Sequence, residues 1–262
     1  YDTNNSQNKK MRRYNGTYGR GPRWNNEHGH AYRKHKRDVH ESWEQKSVYN
    51  ARKMIGTELA RESKVSADLV IPVPDSGVPA ALGYAQESGI RFEFGIIRNH
   101  YIGRTFIEPS QAIRQFGVRL KHSVNQSVIK GKRVILIDDS LVRGTTSNKV
   151  VKMIFEAGAS EVHLGISSPP IKHPDFYGID TPNYDELIAS NKNIDEMSSI
   201  IGTKSLFFLS LDGTYRAMGC EERDSSSPQF TDHCFTGEYP TPLIDMEQGN
   251  VSKQYSLLTE KS

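Results

Sequence analysis

The sequence predicts an α/β fold in which a mainly parallel, twisted sheet is flanked by helices on both faces. Short apolar runs of the kind that form buried strands recur through the middle of the chain. Helical patterns of about 10 to 15 residues separate these runs, and turn-forming Gly, Pro and Ser residues follow several of them. Strands that alternate with helices in this way form βαβ units, which place the strands side by side in parallel.

The first half of the pattern begins at Ser47, a candidate helix N-cap. Apolar residues follow at helical spacing up to about Arg61, namely Val48, Ala51, Ile55 and Leu59. Residues 68–73 then form an apolar run that ends in the turn residues Pro74, Asp75, Ser76 and Gly77. We expect a strand at 68–73, a helix rich in small residues at about 78–87, and a further short strand at 94–97.

The second half contains the clearest strand, Arg133–Asp138. A helix is predicted from about Gly144, with one face lined by Val150, Val151, Ile154 and Phe155, and Gly158 is expected to end it. Strands are predicted at 162–166 and 206–209. The last forty or so residues show little periodicity, and we expect them to wrap the surface or reach a neighbouring subunit.

Residues 1–43 differ in character from the rest of the chain. Residues 1–40 contain ten Lys/Arg and three Asp/Glu, a net charge of +7 that leaves −4 for the remainder of a chain whose net charge is +3. With almost no aliphatic side chains, this segment cannot offset the entropy of folding, so we expect disorder. We therefore divide the chain into a basic low-complexity segment at 1–43, a domain at 44–219 and an extended C-terminal tail at 220–262.

Two other interpretations of the basic segment remain open. Its aromatic residues alternate with basic ones, as in an RNA-binding arm, and His28, His30, His35 and His40 could hold a metal. A solvated tail is favoured, because charge runs usually have no further role and the histidine spacing fits no standard metal site. Since the main body is acidic, nucleic acid is not an expected partner.

Composition also bears on where the protein works. The two cysteines, Cys220 and Cys234, show no zinc-ligand or CxxC spacing, which indicates a reducing, cytoplasmic location. No apolar run approaches the roughly 18 residues of a membrane span, and the N-terminus lacks the order of a signal peptide. We expect no membrane association.

Two adjacent carboxylates, Asp138 and Asp139, follow the clearest strand. One acidic residue there could simply cap the next helix, but a cap needs one acid and this helix begins only after a loop. Paired carboxylates at a strand end suit another role, the binding of ribose hydroxyls and, directly or through water, of a hard cation such as Mg²⁺.

An arginine, a glycine and three hydroxyl residues follow the acids at the predicted helix start: Arg143, Gly144, Thr145, Thr146 and Ser147. Backbone N–H groups at a helix start carry partial positive charge, and glycine lets a phosphate approach closely. The carboxylates and this helix start together predict a site for a sugar phosphate.

The run Val134–Thr146 resembles the fingerprint of type I phosphoribosyltransferases, enzymes that use 5-phosphoribosyl 1-diphosphate (PRPP). Segments 70–77, 97–111, 177–180 and 234–241 are similar to the glutamine PRPP amidotransferases in particular. The resemblance extends from about Ser47 to about Leu243 and implies the type I phosphoribosyltransferase fold.

The resemblance also implies roles for individual residues. Ser76, Asp138 and Asp139 match residues associated with Mg²⁺, and the turn 74–77 matches the loop that holds pyrophosphate. Residues 98–107 match a mobile loop that closes over PRPP. The residues implied in catalysis are Tyr101, Arg104, Asp138 and Asp139. Those implied in PRPP binding are Asp75, Ser76, Gly77, Arg98, Asp138, Asp139, Ser140, Arg143, Gly144, Thr145, Thr146 and Ser147.

The activity implied by the resemblance is that of an amidophosphoribosyltransferase of de novo purine (IMP) biosynthesis. Such an enzyme forms 5-phosphoribosylamine and pyrophosphate from PRPP and ammonia, with inversion at C1. The family forms homo-oligomers and is inhibited by purine nucleotides. The alternative is a non-catalytic PRPP- or nucleotide-binding regulator on the same fold, against which the intact segment 98–107 argues.

The sequence departs from the family in two respects. Complete enzymes carry an N-terminal glutaminase domain with an N-terminal cysteine, whereas residue 1 is Tyr1 and the first cysteine is Cys220, so we expect this chain not to release ammonia from glutamine. Some members hold an iron–sulfur cluster, but Asp175 and the tail residues Ser225, Ser226, Ser227 and Asp232 leave only Cys234. A cluster needs about four thiolates, so none is expected.

Overall fold

A computed structural model describes residues 42–43, 46–98, 122–177, 181 and 183–241 of the 262-residue chain. The predictions for the basic segment therefore lie outside the described residues, apart from Ser42 and Trp43. The predicted catalytic residues Tyr101 and Arg104 lie outside them as well, as does all of the segment 98–107 except Arg98.

Strands and helices alternate through the described part. The strands are β1 (Ser42–Trp43), β2 (Lys46–Ser47), β3 (Leu69–Pro72), β4 (Ile96–Arg98), β5 (His122–Val124), β6 (Arg133–Asp138), β7 (Glu161–Ile166) and β8 (Ser205–Phe208). The helices are α1 (Val48–Glu62), α2 (Val78–Ser88), α3 (Gln126–Ile129), α4 (Thr145–Glu156), α5 (Ile188–Asn191), α6 (Ile194–Ile201), α7 (Leu211–Ala217) and α8 (His233–Thr236), with a 3₁₀ turn at Tyr184–Glu186. None of these described helices is long and apolar enough to cross a membrane.

The central sheet has four parallel strands in the order β3-β6-β7-β8, which confirms the predicted parallel arrangement. In the β3–β6 register, Pro72 lies opposite Ile137, so both strands end at the same edge. β4 and β5 pair with each other in antiparallel fashion in a separate sheet, and β1 and β2 form a third, two-residue pair.

Helices cover both faces of the central sheet, as predicted. Successive side chains of a strand point to opposite faces, and β6 uses this alternation fully. Val134 and Leu136 pack in one apolar cluster with residues of α4 and α6. Ile135 and Ile137 pack in a second cluster with residues of α1 and α2. All four side chains are fully buried, which explains why the strand is a continuous apolar run.

Most predicted elements agree with the structure, but the inner face of α4 was predicted incorrectly at one position. Phe155 is 39% exposed, whereas Val150, Val151 and Ile154 are buried as expected. Ser147 completes the buried stripe, because positions 147, 150, 151 and 154 share one face of a helix with 3.6 residues per turn. Phe155 lies about 100° round the helix from Ile154 and faces outward.

The short elements between residues 184 and 217 were not predicted, apart from β8. α6 nevertheless has a recognisable start signal, because Asn193 and Glu196 form a reciprocal capping box in which each side chain accepts the other residue's backbone N–H. Ser210 caps α7 in a similar way by accepting a hydrogen bond from the Gly213 N–H group.

Adjacent substitutions on α4 test its orientation. We expect Ile154→Ala to lower the free energy of unfolding by about 2 to 5 kcal/mol, because it removes buried methyl groups and leaves a cavity. Phe155→Ala, the matched control one position along, should change it by less than about 1 kcal/mol. Urea denaturation followed by circular dichroism measures both values, and equal losses would show that α4 is rotated relative to this structure.

Candidate active site

The carboxyl ends of β3 and β6 bring the turn 74–77 against the acidic residues after β6. The Val73 N–H group donates a hydrogen bond to the Ile137 carbonyl oxygen (2.8 Å), and the Gly77 N–H group donates to the Val73 carbonyl oxygen (2.9 Å). The Pro74–Asp75 peptide bond is cis. Gly77 approaches β6 so closely that an added Cβ would lie 2.3 Å from the Ile137 carbonyl oxygen. Only glycine allows this contact.

The structure places Ser76 beside Asp138. The Ser76 hydroxyl donates a long hydrogen bond of 3.5 Å to Asp138 Oδ1, and the Asp139 N–H group donates to the same oxygen at 2.8 Å. The Ser140 hydroxyl donates to Asp139 Oδ1 at 3.1 Å. On the other side, the Ser167 N–H group at the end of β7 donates to the Asp138 carbonyl oxygen at 2.9 Å. Hydrogen bonds from two neighbouring segments thus hold Asp138 in place.

The two carboxylates create a local excess of negative charge. Asp138 is partly buried at the strand end, and Asp139 is exposed. Burial and the neighbouring Asp139 carboxylate raise the pKa of Asp138 to about 8. A positive charge placed beside the pair would relieve both effects, so the strand end is electrostatically suited to a cation.

The loop after Asp139 leads directly into α4. Gly144 is the N-cap residue and has a φ of +74°, a left-handed conformation in which glycine avoids the strain of a side chain. Thr145 and Thr146 begin the helix and are exposed, while Ser147 turns toward the core. The first N–H groups of a helix lack intrahelical acceptors, so the exposed start of α4 can bind an anion.

Arg143, a predicted PRPP-binding residue, forms an ion pair with Glu186 (2.5 Å) in the 3₁₀ turn. The Ile188 N–H group also donates to the Val142 carbonyl oxygen at 2.9 Å. A later segment of the chain therefore holds the loop 139–144 from outside. Sequence reasoning missed Glu186, because 43 positions separate it from Arg143 and nothing in the local pattern connects them.

Arg98, another predicted binding residue, lies at the end of β4. Its guanidinium forms an ion pair with the Asp75 carboxylate at 2.5 Å. The ion pair with Asp75 therefore connects Arg98, a predicted site residue, to the turn 74–77. Ser76 lies against the acidic pair, and Ser140 to Ser147 continue from that pair into α4.

One edge of the parallel sheet thus carries three features. They are the turn 74–77 with Arg98 beside it, the Asp138–Asp139 carboxylate pair and the exposed start of α4. Residues 44–169 match the family model described as the phosphoribosyl transferase domain. The phosphoribosyltransferases are thus the class of protein that the fold and the site define.

Within the phosphoribosyltransferases, the chain is most informatively compared with individual amidophosphoribosyltransferases. The chain is 60% identical over 214 residues to the amidophosphoribosyltransferase of Rhizobium etli, an alignment that covers 81% of this chain and 43% of the relative. Among solved structures, glutamine PRPP amidotransferase from Bacillus subtilis, complexed with ADP and GMP, is 53% identical with a TM-score of 0.67 and covers 75% of this chain and 43% of that one. A structure described as the allosteric regulatory enzyme of purine biosynthesis is 51% identical with a TM-score of 0.70, covering 78% and 44% respectively.

Over the matched region, the chain is similar to amidophosphoribosyltransferases and has the type I phosphoribosyltransferase fold. The predicted resemblance is confirmed. The chain spans less than half the length of these relatives.

The close approach at Gly77 can be tested by adding a single methyl group. Gly77→Ala should lower the free energy of unfolding by about 2 kcal/mol or more, since the new Cβ would displace the turn from the β6 backbone. Gly202→Ala is the control, because Gly202 has a φ of +86° but open space around its Cβ position, so only the backbone strain of about 1 kcal/mol applies. Chemical denaturation compares the two variants, and a Gly77→Ala loss no larger than that of the control would contradict the contact.

Proposed function

We propose that this chain is the phosphoribosyltransferase part of an amidophosphoribosyltransferase of de novo purine biosynthesis. In the proposed reaction, ammonia forms a bond to C1 of PRPP as the bond from C1 to pyrophosphate breaks, giving 5-phosphoribosylamine and pyrophosphate with inversion. The observation that carries the proposal is the convergence of the Ser76 turn, the Asp138–Asp139 pair and the start of α4 along one edge of the sheet.

Mg²⁺ is the cofactor that these residues fit. The Ser76 hydroxyl and the carboxylates of Asp138 and Asp139 are oxygen donors, the type that this hard cation prefers. The raised pKa of Asp138 reflects burial beside a like charge, and a divalent cation held by the three residues would offset both. When bound, Mg²⁺ would neutralise negative charge on the departing pyrophosphate.

Residues of the chain would bind the ribose, the 5-phosphate and the pyrophosphate of PRPP. As the bond at C1 breaks, positive charge builds on the ribosyl group, and the Asp138 and Asp139 carboxylates would hold the ribose hydroxyls and stabilise that charge. The N-terminal turn of α4, from Gly144 to Ser147, would hold the 5-phosphate. Arg98 stands at the turn 74–77, where it would stabilise the pyrophosphate leaving group.

Closure of the segment 98–107 would keep water from reaching the ribosyl centre in place of ammonia. Tyr101 and Arg104 are the predicted catalytic residues of that segment, and their roles stay predictions. The presence of the whole segment 98–107 in the sequence favours the enzyme over a non-catalytic regulator, which would need the phosphate site but not this segment.

We also propose purine nucleotides as inhibitors. The solved Bacillus subtilis relative is described as complexed with ADP and GMP. A nucleotide contains a ribose and a phosphate, so it can occupy the same acidic pair and helix start as PRPP. Assembly of the chain into homo-oligomers stays an expectation.

A turnover assay tests the reaction. The purified chain, given PRPP, Mg²⁺ and ammonium, should release pyrophosphate, measured by ³¹P NMR or a coupled phosphate assay. Omitting Mg²⁺ or PRPP should abolish the release. A folded preparation that binds PRPP by calorimetry but shows no turnover with ammonium would support the regulator instead.

Neutralising the acidic pair should separate activity from stability. Asp138→Asn and Asp139→Asn should each lower turnover about 100-fold or more, because each removes a charge that stabilises the ribosyl centre and Mg²⁺. At neutral pH and without Mg²⁺, Asp138→Asn should raise the free energy of unfolding. Because the folded-state pKa of Asp138 lies above its unfolded value, folding at neutral pH must take up a proton or keep an unfavourable charge at this residue, and asparagine removes that cost.

Asp195→Asn, an exposed acid in the first turn of α6, is the control and should leave turnover unchanged. Turnover assays and thermal unfolding measure the two effects separately. Unchanged turnover in Asp138→Asn would remove the assigned site, whereas a loss of stability would show that the local repulsion is unimportant.

A further inference from the structure

A second group of ligand-type side chains lies apart from the acidic pair and the turn 74–77. Asp175, on the segment after β7, faces His233 and Cys234 of α8. Within the part of the chain that the structure describes, one potential ligand atom from each of the three residues lies within 4.8 Å of the others. A sulfur, a nitrogen and an oxygen donor from segments almost 60 positions apart thus meet at one point.

The group is buried and structurally fixed. The side chains of His233 and Asp175 are 1% and 2% exposed, and Cys234 is 1% exposed. His233 Nε2 and Asp175 Oδ2 are hydrogen-bonded at 2.9 Å. The Cys234 carbonyl oxygen accepts hydrogen bonds from the N–H groups of Lys172 (2.9 Å) and His173 (3.0 Å), which tie α8 to the segment after β7.

We propose that Asp175, His233 and Cys234 supply three of the ligands of a single Zn²⁺ ion. A thiolate, an imidazole and a carboxylate form a donor set of borderline softness, which suits Zn²⁺ and does not suit Mg²⁺. Cys234 would lose its thiol proton to the solvent on binding, and His233 would coordinate as the neutral imidazole. One thiolate and one carboxylate then balance the charge of the ion, as a buried site requires.

The surroundings resemble the shell of a metal site. The rings of Tyr177 and Tyr239 pack on His233, with centroid separations of 5.0 Å and 5.1 Å. Such a shell excludes water and fixes the orientation of the ligating imidazole. A single thiol also distinguishes the site from an iron–sulfur cluster, which needs about four.

The site would strengthen the support of the phosphate-binding loop. Cys234 packs in an apolar cluster with Ile171 and Leu187, and Val142 of the loop 139–144 packs against that cluster. An ion that joins Asp175 to α8 would therefore stabilise the base on which the loop rests. This role is independent of whether the chain turns over PRPP.

Metal analysis tests the proposal directly. The chain of 262 residues, purified without chelators and freed of any affinity tag, should contain about one zinc ion per molecule by mass spectrometry. Cys234→Ser should lower the content to background, and Asp175→Asn, which keeps a hydrogen-bonding oxygen but loses the charge, should weaken it. Cys220→Ser is the matched control, since it removes the chain's other thiol, and should retain the zinc.

Cobalt provides a second readout, which reports a thiolate ligand directly in the wild-type chain. Co²⁺ exchanged into the wild-type chain should give a near-ultraviolet thiolate-to-metal absorption band, and Cys220→Ser should keep that band. Zinc should also raise the thermal midpoint of the wild-type chain. The proposal is overturned if wild-type protein grown with added zinc contains none. It is equally overturned if Cys220→Ser loses the cobalt band, or if a folded Cys234→Ser variant retains full zinc content, which would place the ion elsewhere.

Discussion

The parallel pairing of β3 with β6 is the constraint on which the candidate site depends. Because Pro72 lies opposite Ile137, the two strands end together, and the residues that follow them are forced into contact. The hydrogen bond from Val73 to the Ile137 carbonyl oxygen continues the ladder by one step, and the lack of a Cβ at Gly77 lets the turn close over β6. A shift of one residue in this register would move Ser76 away from Asp138 and reverse the faces of the strand's apolar side chains.

The same edge carries an electrostatic cost that the rest of the fold must offset. Two carboxylates stand side by side where one is partly buried, and the pKa of Asp138 rises accordingly. β6 tolerates this because its four preceding residues are buried on both faces, in clusters that draw on helices from either side of the sheet. Fully burying each such side chain stabilises the fold by about 1.5 to 3 kcal/mol, enough in sum to offset the charge repulsion at the strand end. The buried residues of β6 therefore stabilise the strand that places the two carboxylates side by side.

Much of the fold could be predicted from sequence, and the failures share a physical cause. β6 and α1 were predicted closely because each is a long stretch with a single clear period. The helices between 184 and 217 were missed because they are short and depend on caps and tertiary contacts. In the site, Asp138, Asp139 and the turn 74–77 could be predicted because each directly follows a strand. Glu186 and the Asp175–His233–Cys234 group could not, since only folding brings those distant residues to their partners.

The segments after β7 contact the candidate site, although they contain none of the residues predicted for it. Glu186 forms an ion pair with Arg143, and the Ile188 N–H group donates a hydrogen bond to the Val142 carbonyl oxygen. The side chain of Val142 also packs against the apolar cluster that contains Cys234. Each contact is modest alone, since an exposed ion pair contributes at most about 1 kcal/mol, but together they favour the observed arrangement of the loop. If a phosphate binds at the start of α4 and an ion binds at Asp175, His233 and Cys234, as proposed, both would stabilise the same conformation of the loop. Each ligand would then raise the affinity for the other, because two ligands that stabilise the same state of a segment with more than one state are coupled.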